Sequence, residues 1–249
     1  MLEILFQFGS VTVRTFNIVL AFAFLFTGAF AIRFVTRQKL NISFLARSIL
    51  IIFAAMIVGG RLLYVIEHWP MFRSGLIYAL YIWDLHFSFF GVLYGLIVSL
   101  LFLSRKNDED FWSWFDVGAL STVFAMIFLH IGHFLNGTNY GLPTDLPWSI
   151  SFDVQNIPFV NPIHPTQIYA ALLAFIIFIY SLKKSRRTHL SGVAGNIAIM
   201  LYSLSMLGLD FLRGAPSLYV KISFGIIAVL SFIFLVLCSH KTHHKSLKE

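Results

Sequence analysis

Long apolar stretches separated by short polar segments make up most of the chain. A bilayer core is about 30 Å thick, so a helix that spans it needs about 20 mostly apolar residues. Seven stretches meet this requirement, of which the second is interrupted by Arg61 and the fifth is short and follows a proline. We predict an all-α, polytopic membrane protein that forms a single domain over residues 1–249. The seven predicted transmembrane helices are 14–34, 46–67, 85–104, 115–135, 165–182, 190–212 and 218–239.

Basic residues are concentrated on one side of these predicted spans. Cytoplasmic loops of membrane proteins collect Lys and Arg. Of the 18 Lys and Arg residues, 13 lie in the loops after spans one, three and five and in the C-terminal tail, and residues 136–166 contain none. We therefore predict an N-terminus outside and a C-terminus in the cytoplasm, with an extracytoplasmic loop at about 136–165 and a basic tail over 240–249. The net charge of +7 follows from this distribution and requires no nucleic acid partner.

The composition agrees with a membrane protein and excludes several classes of function. Hydrophobic residues make up 58% of the chain and charged residues 12%, whereas soluble domains carry about 25% charged residues. A single cysteine, Cys238, excludes a disulfide framework within the chain. The chain contains no G-x-S-x-G motif, so this signature of a serine hydrolase is missing. Lys221 lies at the start of the last span, whereas a retinal-binding protein would need a lysine midway along it.

The first ten residues bear on the fate of the first apolar stretch. They lack the basic segment and the small-residue cleavage site of a secretory signal peptide. We therefore expect the first stretch to be retained as a membrane helix.

Polar and ionisable residues gather at the outer ends of five predicted spans. An ionisable side chain inside a membrane costs about 2.5–3.5 kcal/mol on insertion scales, so such residues are usually paired or functional. Placement at the headgroup region would explain any one of them. Five spans together favour a shared polar cavity that opens to the outer leaflet. The residues are Arg61, Asp84, His86, His130, His133, Asn136, His164, Gln167, Asp210 and Arg213.

The segment LHIGHFLNGTNYG over 129–141 ends the fourth span with an unusual concentration of polar groups. His130 and His133 are three residues apart and share a helix face, which Asn136 extends. The glycines that follow allow positive φ and close backbone approach. Backbone N–H groups in such a turn can hold an anion, although the same residues could form only a tight exit turn.

A metal site is an alternative interpretation of the histidines. His130 and His133, joined by His86 or His164, would provide three imidazole ligands of the kind that zinc sites use. Histidine pairs at this spacing also arise by chance. We therefore predict no metal and no other cofactor.

Five segments, in their order along the chain, resemble the prolipoprotein diacylglyceryl transferase family. Seven helices with the N-terminus outside also agree with that family. The resemblance covers most of the chain, and its most specific pieces are W-D-x-x-x-S-F-x-G and H-P-[ST]-Q-[IL]-Y. The segments are GGRLLYV at 59–65, WDLHFSFFGVLYG at 83–95, HIGHFLNGTNYG at 130–141, HPTQIYA at 164–170 and YSLSMLGLDFLR at 202–213.

The resemblance implies a reaction and its partners. A diacylglyceryl group would move from phosphatidylglycerol, or a similar phospholipid, to the lipobox Cys thiol of a prolipoprotein recognised at its signal peptide. Glycerol phosphate would leave and a thioether would form. This chemistry needs cationic or amide groups for the phosphate and a base near the thiol. The family also implies a multi-pass protein of the bacterial plasma membrane.

The chain keeps part of the family's motifs and departs from the rest. The positions that match are Arg61, Trp83, Asp84, Ser88, Gly91, Asn136, Gly141, His164, Gln167, Tyr169, Tyr202 and Arg213. Two arginines of the family's motifs are replaced by His130 and Met206, and one asparagine and one glutamate by His133 and Thr138. Phe90 replaces a histidine, Phe16 a tyrosine and Ala170 an acidic residue.

The resemblance and the polar pattern together yield a set of predicted site residues. We predict Arg61 and Arg213 as ligands of the phosphate, and His130 or His133 as base or anion partner. The predicted substrate-binding residues are Asp84, His86, Asn136, Gly141, His164, Gln167, Tyr202 and Asp210. Because histidine lacks the planar fork with which arginine holds phosphate, a catalytically inactive relative that binds lipid or a lipoprotein precursor is an alternative. A metal-dependent membrane enzyme is a further one.

Overall fold

The computed structural model describes residues 4–8, 11–73, 75–84, 86–151, 159, 161–188 and 190–246. A short antiparallel hairpin of β1 (Ile4–Phe8) and β2 (Val11–Arg14) precedes the first helix and was not expected from the sequence. The helices are α1 (Thr15–Arg37), α2 (Ile42–Glu67), α3 (Trp69–Phe72), α4 (Phe89–Lys106), α5 (Phe111–Leu135), α6 (Thr166–Ser185), α7 (Val193–Asp210) and α8 (Leu218–Ser246). Two short 3₁₀ turns, Leu76–Leu80 and Ile82–Asp84, connect α3 to α4.

The predicted seven-span architecture is confirmed. Within the described residues, seven helices are long and apolar enough to cross a membrane: α1, α2, α4, α5, α6, α7 and the part of α8 up to His240. The two stretches that looked irregular in the sequence both form complete helices. Helix α2 runs unbroken through Arg61, because the side chain is satisfied by other parts of the chain, and α6 reaches 20 residues rather than remaining short.

Several helix ends are determined by local sequence. The Asn41 side chain caps α2 by accepting hydrogen bonds from the backbone N–H groups of Ser43 and Phe44, at 3.1 and 3.2 Å. The Asp110 carboxylate accepts from the backbone N–H of Ser113 at 3.0 Å at the start of α5. These side chains satisfy N–H groups that have no partner in the first helical turn. Gly192 takes a left-handed conformation, with φ of 83°, immediately before α7.

The chain divides into two compact units. The first comprises Met1–Arg33 and Ala119–Glu249, and the second comprises Phe34–Gly118. In the second unit, α2 and α4 pack closely through Gly59, Gly91 and Gly95. A Cβ atom added to Gly59 would lie 2.5 Å from the carbonyl oxygen of Gly91. Small residues at such contacts are the usual means by which membrane helices approach each other.

The first unit contains the C-terminal helices and most of α1 and α5. Helix α7 packs against both α6 and α8. Phenylalanine rings join α1, α5 and α6: Phe30 contacts Phe178 at 5.0 Å between ring centroids, and Phe178 contacts Phe124 at 4.8 Å. Large apolar side chains also cover the outer surfaces of the helices, such as Phe24 and Leu230. Apolar exposure of this kind suits a helix surface that faces lipid.

Candidate functional site

Arg61 is the centre of a hydrogen-bonded cluster in the Phe34–Gly118 unit. All three nitrogens of its guanidinium donate. Nη1 bonds both carboxylate oxygens of Asp84, at 2.9 and 3.0 Å, and the carbonyl oxygen of His86, at 3.1 Å. Nε and Nη2 bond the carbonyl oxygens of Ala79 and Tyr78, at 2.9 and 2.8 Å. The Arg61 side chain is 6% exposed, so its charge is buried, and each of its three nitrogens has at least one oxygen acceptor.

Asp84 holds the same cluster together from outside the spanning helices. Besides Arg61, its carboxylate accepts a hydrogen bond from the backbone N–H of His86 at 3.1 Å. Partial burial raises the pKa of the Asp84 carboxyl, but the His86 N–H and the Arg61 guanidinium lower it more, so the pKa lies below its usual value. The His86 ring stacks on Tyr64, with 5.6 Å between centroids, and remains 63% exposed.

These contacts bear on the phosphate-binding role predicted for Arg61. The sequence suggested that it would face a phosphate, but its donors are occupied by the segment that follows α3. That segment carries exposed apolar side chains at Leu76, Ile77, Leu80 and Trp83. A buried arginine with every nitrogen bonded to one segment anchors that segment, since an unpaired buried charge would be costly.

Two histidines of α5 and a tyrosine of α7 lie together in the other unit. The His130 side chain is buried, and its Nε2 forms a hydrogen bond of 2.9 Å with the hydroxyl of Tyr202. The His133 ring centroid lies 6.5 Å from that of His130. Nδ1 of His133 forms a hydrogen bond of 2.8 Å with the hydroxyl of Thr138. The predicted i, i+3 histidine pair is therefore adjacent in space, and each ring has one nitrogen held by a hydroxyl.

The turn after α5 supports this pair. The backbone N–H groups of Asn136, Gly137 and Thr138 donate to carbonyl oxygens of the last turn of α5. Gly137 and Asn139 have positive φ, of 67° and 56°, a conformation that Gly and Asn adopt most readily. The three N–H groups are thus used within the turn, which agrees with the alternative that these residues form a tight exit turn.

Helix α6 contributes two polar side chains that hold this turn. The Gln167 side-chain N–H₂ group donates to the carbonyl oxygen of Thr138 at 2.7 Å, and the Thr166 hydroxyl donates to that of Asn139 at 2.8 Å. Gln167 is 1% exposed, and its Oε1 atom has no hydrogen-bond partner in the described structure. Buried acceptors without a partner are uncommon in folded proteins, so this oxygen faces a position where a donor would be favourable.

Gly141 brings the turn against His164 and Arg213. It forms an antiparallel bridge with Arg213, and the neighbouring Leu142 N–H donates to the carbonyl oxygen of Leu212 at 2.8 Å. A Cβ atom at position 141 would lie 2.5 Å from the His164 carbonyl oxygen. The His164 ring lies beside Tyr169, whose hydroxyl accepts a hydrogen bond from the Trp148 indole at 2.7 Å.

A buried carboxylate with two cations lies at the end of α7. The Asp210 side chain is 2% exposed, and its Oδ1 is 3.6 Å from Nη1 of Arg213. Its Oδ2 is 3.5 Å from Nζ of Lys221 in α8. Nη2 of Arg213 contacts the sulfur of Met206 at 3.9 Å. We refer to Asp210, Arg213 and Lys221 as the two-cation cluster.

The predicted site residues are therefore distributed over both units. The Phe34–Gly118 unit contains Arg61, Asp84 and His86, which contact one another. The other unit contains His130, His133, Asn136, Gly141, His164, Gln167, Tyr202, Asp210 and Arg213. Within it, the contacts above link His130 to Tyr202, Gly141 to both His164 and Arg213, and Arg213 to Asp210. No group of three or more His, Cys, Asp or Glu side chains with metal-binding geometry occurs among the residues described.

Lys221, which contacts Asp210, was not among the predicted site residues, and Thr138, which bonds His133, was noted only as a departure from the family. The sequence contained a signal for the lysine, because an ionisable residue inside an apolar span is a functional candidate whose partner should be sought. No sequence signal announced that the Thr138 hydroxyl would bond His133, since this contact depends on the path of the turn.

Positions that depart from the family's motifs contact one another. The Phe16 ring lies 5.4 Å from that of His133, and Thr138 bonds His133. All three positions carry a residue different from the one that the family resemblance implies. Met206, another departure, contacts Arg213. Phe16, His133 and Thr138 thus form one local set of neighbours, whereas Met206 contacts a position that matches the family.

Comparison with known proteins agrees with these motifs. A sequence model described as "Prolipoprotein diacylglyceryl transferase" matches residues 3–240. Three similar relatives carry the name phosphatidylglycerol–prolipoprotein diacylglyceryl transferase. The protein from Synechococcus sp. (strain CC9902) is 29% identical over 84% of this chain and 78% of its own. That from Rhizobium leguminosarum bv. trifolii is 30% identical over 84% and 78%, and that from Polynucleobacter asymbioticus is 32% identical over 75% of each.

The family match covers both units and every motif discussed above, and the seven apolar helices agree with a multi-pass membrane protein. The chain belongs to the prolipoprotein diacylglyceryl transferase family.

Proposed function

We propose that this protein transfers a diacylglyceryl group from phosphatidylglycerol, or a similar phospholipid, to the lipobox Cys thiol of a prolipoprotein bound at its signal peptide. The observation that carries the proposal is the hydrogen bond of 2.8 Å between His133 Nδ1 and the Thr138 hydroxyl. It holds an imidazole in a defined orientation beside family motif residues. The relatives' names supply the substrate classes.

His133 is the base in this proposal. If its Nδ1–H donates to the Thr138 oxygen, Nε2 carries the lone pair that accepts the thiol proton. The thiolate then attacks the carbon of the diacylglycerol backbone that bears the phosphate ester. A C–S bond forms, the C–O bond to the phosphate breaks, and glycerol phosphate leaves with the bonding electrons. The proton on His133 passes to the phosphate or to water, which returns the base to its starting state.

The other residues hold the reactants. His130, which forms a hydrogen bond with Tyr202, lies beside the base on the same helix, α5. Arg213 faces the leaving phosphate, because its contacts to Asp210 and Met206 are long and leave it able to donate to a new anion. Gln167 offers its unpartnered Oε1 to a glycerol hydroxyl of the lipid. Asn136, Gly141 and His164 shape the turn around these groups.

Arg61, Asp84 and His86 have a positioning role in the same proposal. Arg61 holds the segment over 76–84 through backbone carbonyls, and that segment presents exposed apolar side chains to lipid. Asp84 neutralises the guanidinium, and His86 packs on Tyr64. The cluster therefore supports an apolar surface rather than contacting the phosphate directly.

The proposal includes the placement of the whole protein. The distribution of Lys and Arg puts the N-terminus outside the bacterial plasma membrane and the C-terminus in the cytoplasm. It makes residues 1–249 one functional membrane domain, with residues 136–165 outside and the basic tail 240–249 inside. The histidine pair then faces the outer leaflet, where secreted precursors carry their lipobox.

A second candidate is a relative that binds lipid or lipoprotein precursor without transferring the group. The observation that favours it is the absence of charge at two family positions, Thr138 and Met206. A neutral hydroxyl at 138 and a thioether at 206 cannot replace a carboxylate and a guanidinium in charge.

The test is transfer by the purified full-length protein in nanodiscs that contain phosphatidylglycerol, with a lipobox peptide as acceptor. Mass spectrometry of the peptide detects the added diacylglyceryl group. We expect product with phosphatidylglycerol and none with phosphatidylcholine. His133→Ala should lower the rate by about 10²–10⁴-fold, the contribution of a general base. Thr138→Val should lower the transfer rate less than His133→Ala does. Thr138→Ser, which keeps the hydroxyl, should transfer at the rate of the unmodified protein.

The matched control is His240→Ala, which removes an exposed histidine near the other end of the chain. It should transfer at the rate of the unmodified protein. Phosphatidylglycerol binding without any product would favour the non-catalytic candidate. An unchanged rate in His133→Ala would remove His133 as the base.

A further inference from the structure

The two-cation cluster contains more positive charge than its own carboxylate can balance. Asp210 contributes one negative charge, and Arg213 and Lys221 contribute one positive charge each. The cluster therefore carries a net charge of +1 at a site where Asp210 is almost completely buried. Uncompensated charge in a poorly hydrated site is unfavourable, and an anion would offset it.

The contacts within the cluster are loose, which leaves both cations able to donate. The N···O distances of 3.5 and 3.6 Å exceed those of charge-assisted hydrogen bonds, which are about 2.7–2.9 Å. Oδ2 of Asp210 accordingly has no hydrogen-bond partner in the described residues. Arg213 contacts a thioether rather than an oxygen through Nη2. Lys221 rests against the Phe211 ring, with Nζ 5.0 Å from the centroid.

The exposed fractions of the two cations indicate the direction from which an anion would arrive. Arg213 is 16% exposed and Lys221 31%, whereas Asp210 is 2% exposed. The carboxylate thus lies behind the two cations and holds them side by side without saturating them. An anion that approaches the exposed side meets both cations before it meets the carboxylate.

We propose that Lys221 is a substrate-binding residue that, together with Arg213, binds the phosphate ester of the lipid headgroup. This proposal rests on the proposed function and names a lysine in the first turn of α8 that no family motif supplied. A phosphodiester carries one negative charge, which brings the cluster to neutrality. Lys221 also supplies a positive charge from α8 near Arg213, where α7 carries Met206 instead of the arginine that the family resemblance implies.

The experiment measures lipid retention separately from transfer. The full-length protein is reconstituted in nanodiscs with equal phosphatidylglycerol and phosphatidylcholine, and native mass spectrometry counts the lipids that remain bound after the disc is removed. We expect the unmodified protein to retain phosphatidylglycerol preferentially. In Lys221→Gln and Lys221→Met, the preference for phosphatidylglycerol over phosphatidylcholine should fall about tenfold. This is the effect expected from the loss of one charge-assisted contact. Lys221→Arg should keep it.

The matched control is Lys184→Gln, which removes the same charge from an exposed position near the end of α6. It should leave the preference unchanged.

In the transfer assay, Lys221→Gln should raise the apparent KM for phosphatidylglycerol by about tenfold with a smaller effect on kcat. A purely structural lysine would not produce this split. A further arm adds soluble glycerol phosphate. Displacement of the lipid would show that the released phosphate ester uses the same cations, and no displacement would assign them to the lipid headgroup.

Each result has one meaning for the proposal. Equal retention by Lys221→Gln and the unmodified protein, or no preference for phosphatidylglycerol in the unmodified protein, would overturn it. Unfolding of both uncharged variants while Lys221→Arg remains folded would assign Lys221 a structural role and also overturn it. Preferential retention that depends on Lys221, without any thioether product, would support the binding site while refuting the transfer activity.

Discussion

Arg61 and Arg213 are both arginines near helix ends in a membrane protein, but their surroundings differ. Every guanidinium nitrogen of Arg61 donates to an oxygen, and all of these bonds are between 2.8 and 3.1 Å long. Arg213 faces a carboxylate oxygen at 3.6 Å and a sulfur at 3.9 Å. Each nitrogen of the first arginine has an oxygen acceptor at hydrogen-bond distance, whereas the Nη contacts of the second are long.

We expect this difference to separate a structural role for Arg61 from a binding role for Arg213. A buried polar group whose hydrogen bonds are complete stabilises one conformation and has little to offer to a ligand. A group held in place by weak contacts can exchange them for stronger ones when an anion arrives. The sequence alone suggested the same phosphate-binding role for both arginines, so the distinction comes from their partners.

The largest expected effect is on folding, and it should follow removal of Arg61. Arg61→Ala leaves Asp84 and three backbone carbonyls without their donor, and we expect it to destabilise the protein by about 3 kcal/mol. Arg213→Ala should change stability much less but lower transfer by about 10²-fold. Thermal unfolding in detergent and the peptide transfer assay measure the two quantities.

Arg61→Lys and Arg213→Lys are the paired controls. Lysine cannot reproduce the forked contacts of Arg61, so the former should remain destabilised, whereas Arg213→Lys should keep part of the transfer activity. The comparison would fail if Arg61→Ala were as stable as the unmodified protein, or if Arg213→Ala were as unstable as Arg61→Ala.

An intermediate effect is expected at Gly141, which positions Arg213. In Gly141→Ala, the new methyl group would lie 2.5 Å from the His164 carbonyl oxygen and 2.9 Å from a Thr166 methyl group, so the backbone must shift. We expect a loss of about 1–3 kcal/mol in stability together with reduced transfer. Gly28→Ala is the control, because nothing lies within 4 Å of the added atom. Equal melting temperatures for the two variants would contradict the close approach.

The smallest effect is the pH dependence of the Asp84 contact. Since the pKa of Asp84 is lowered in the folded protein, its ionised form adds stability at pH values above the unfolded pKa, about 3.9. This contribution is lost as the pH falls through the lower folded pKa. Asp84→Asn should therefore melt below the unmodified protein from pH 5 to 8, and the gap should close below about pH 4. The exposed Asp145→Asn is the control. A gap that is constant down to pH 3 would argue against the ion pair.

The helices were predictable because membrane spanning imposes a length and a hydropathy on each of them. The predicted spans 46–67, 115–135 and 218–239 overlap the helices Ile42–Glu67, Phe111–Leu135 and Leu218–Ser246 almost completely. The ends differ by a few residues because caps such as Asn41 extend a helix beyond its apolar stretch. The β1–β2 hairpin was not predicted, since a short strand pair leaves a weak pattern in sequence.

The candidate site was predictable in composition but not in pairing. The i, i+3 spacing placed His130 and His133 on one face of a helix, and they are neighbours. Their partners, Tyr202 and Thr138, could not be derived from spacing, because one comes from another helix and the other from the turn. Lys221 was missed because its partner Asp210 lies in the preceding helix.

The sequence by itself determined the class of the protein. The bilayer imposes the length of the apolar stretches and the distribution of charge, and neither depends on which residues become neighbours in the fold. Its ordered motifs determined the family for the same reason, as they are local strings of residues. Only the tertiary structure decided that every nitrogen of Arg61 has an oxygen acceptor, that His133 bonds Thr138 and that Asp210 contacts both Arg213 and Lys221. Such pairings depend on helix rotation and on the path of connecting segments, which short-range sequence patterns do not specify.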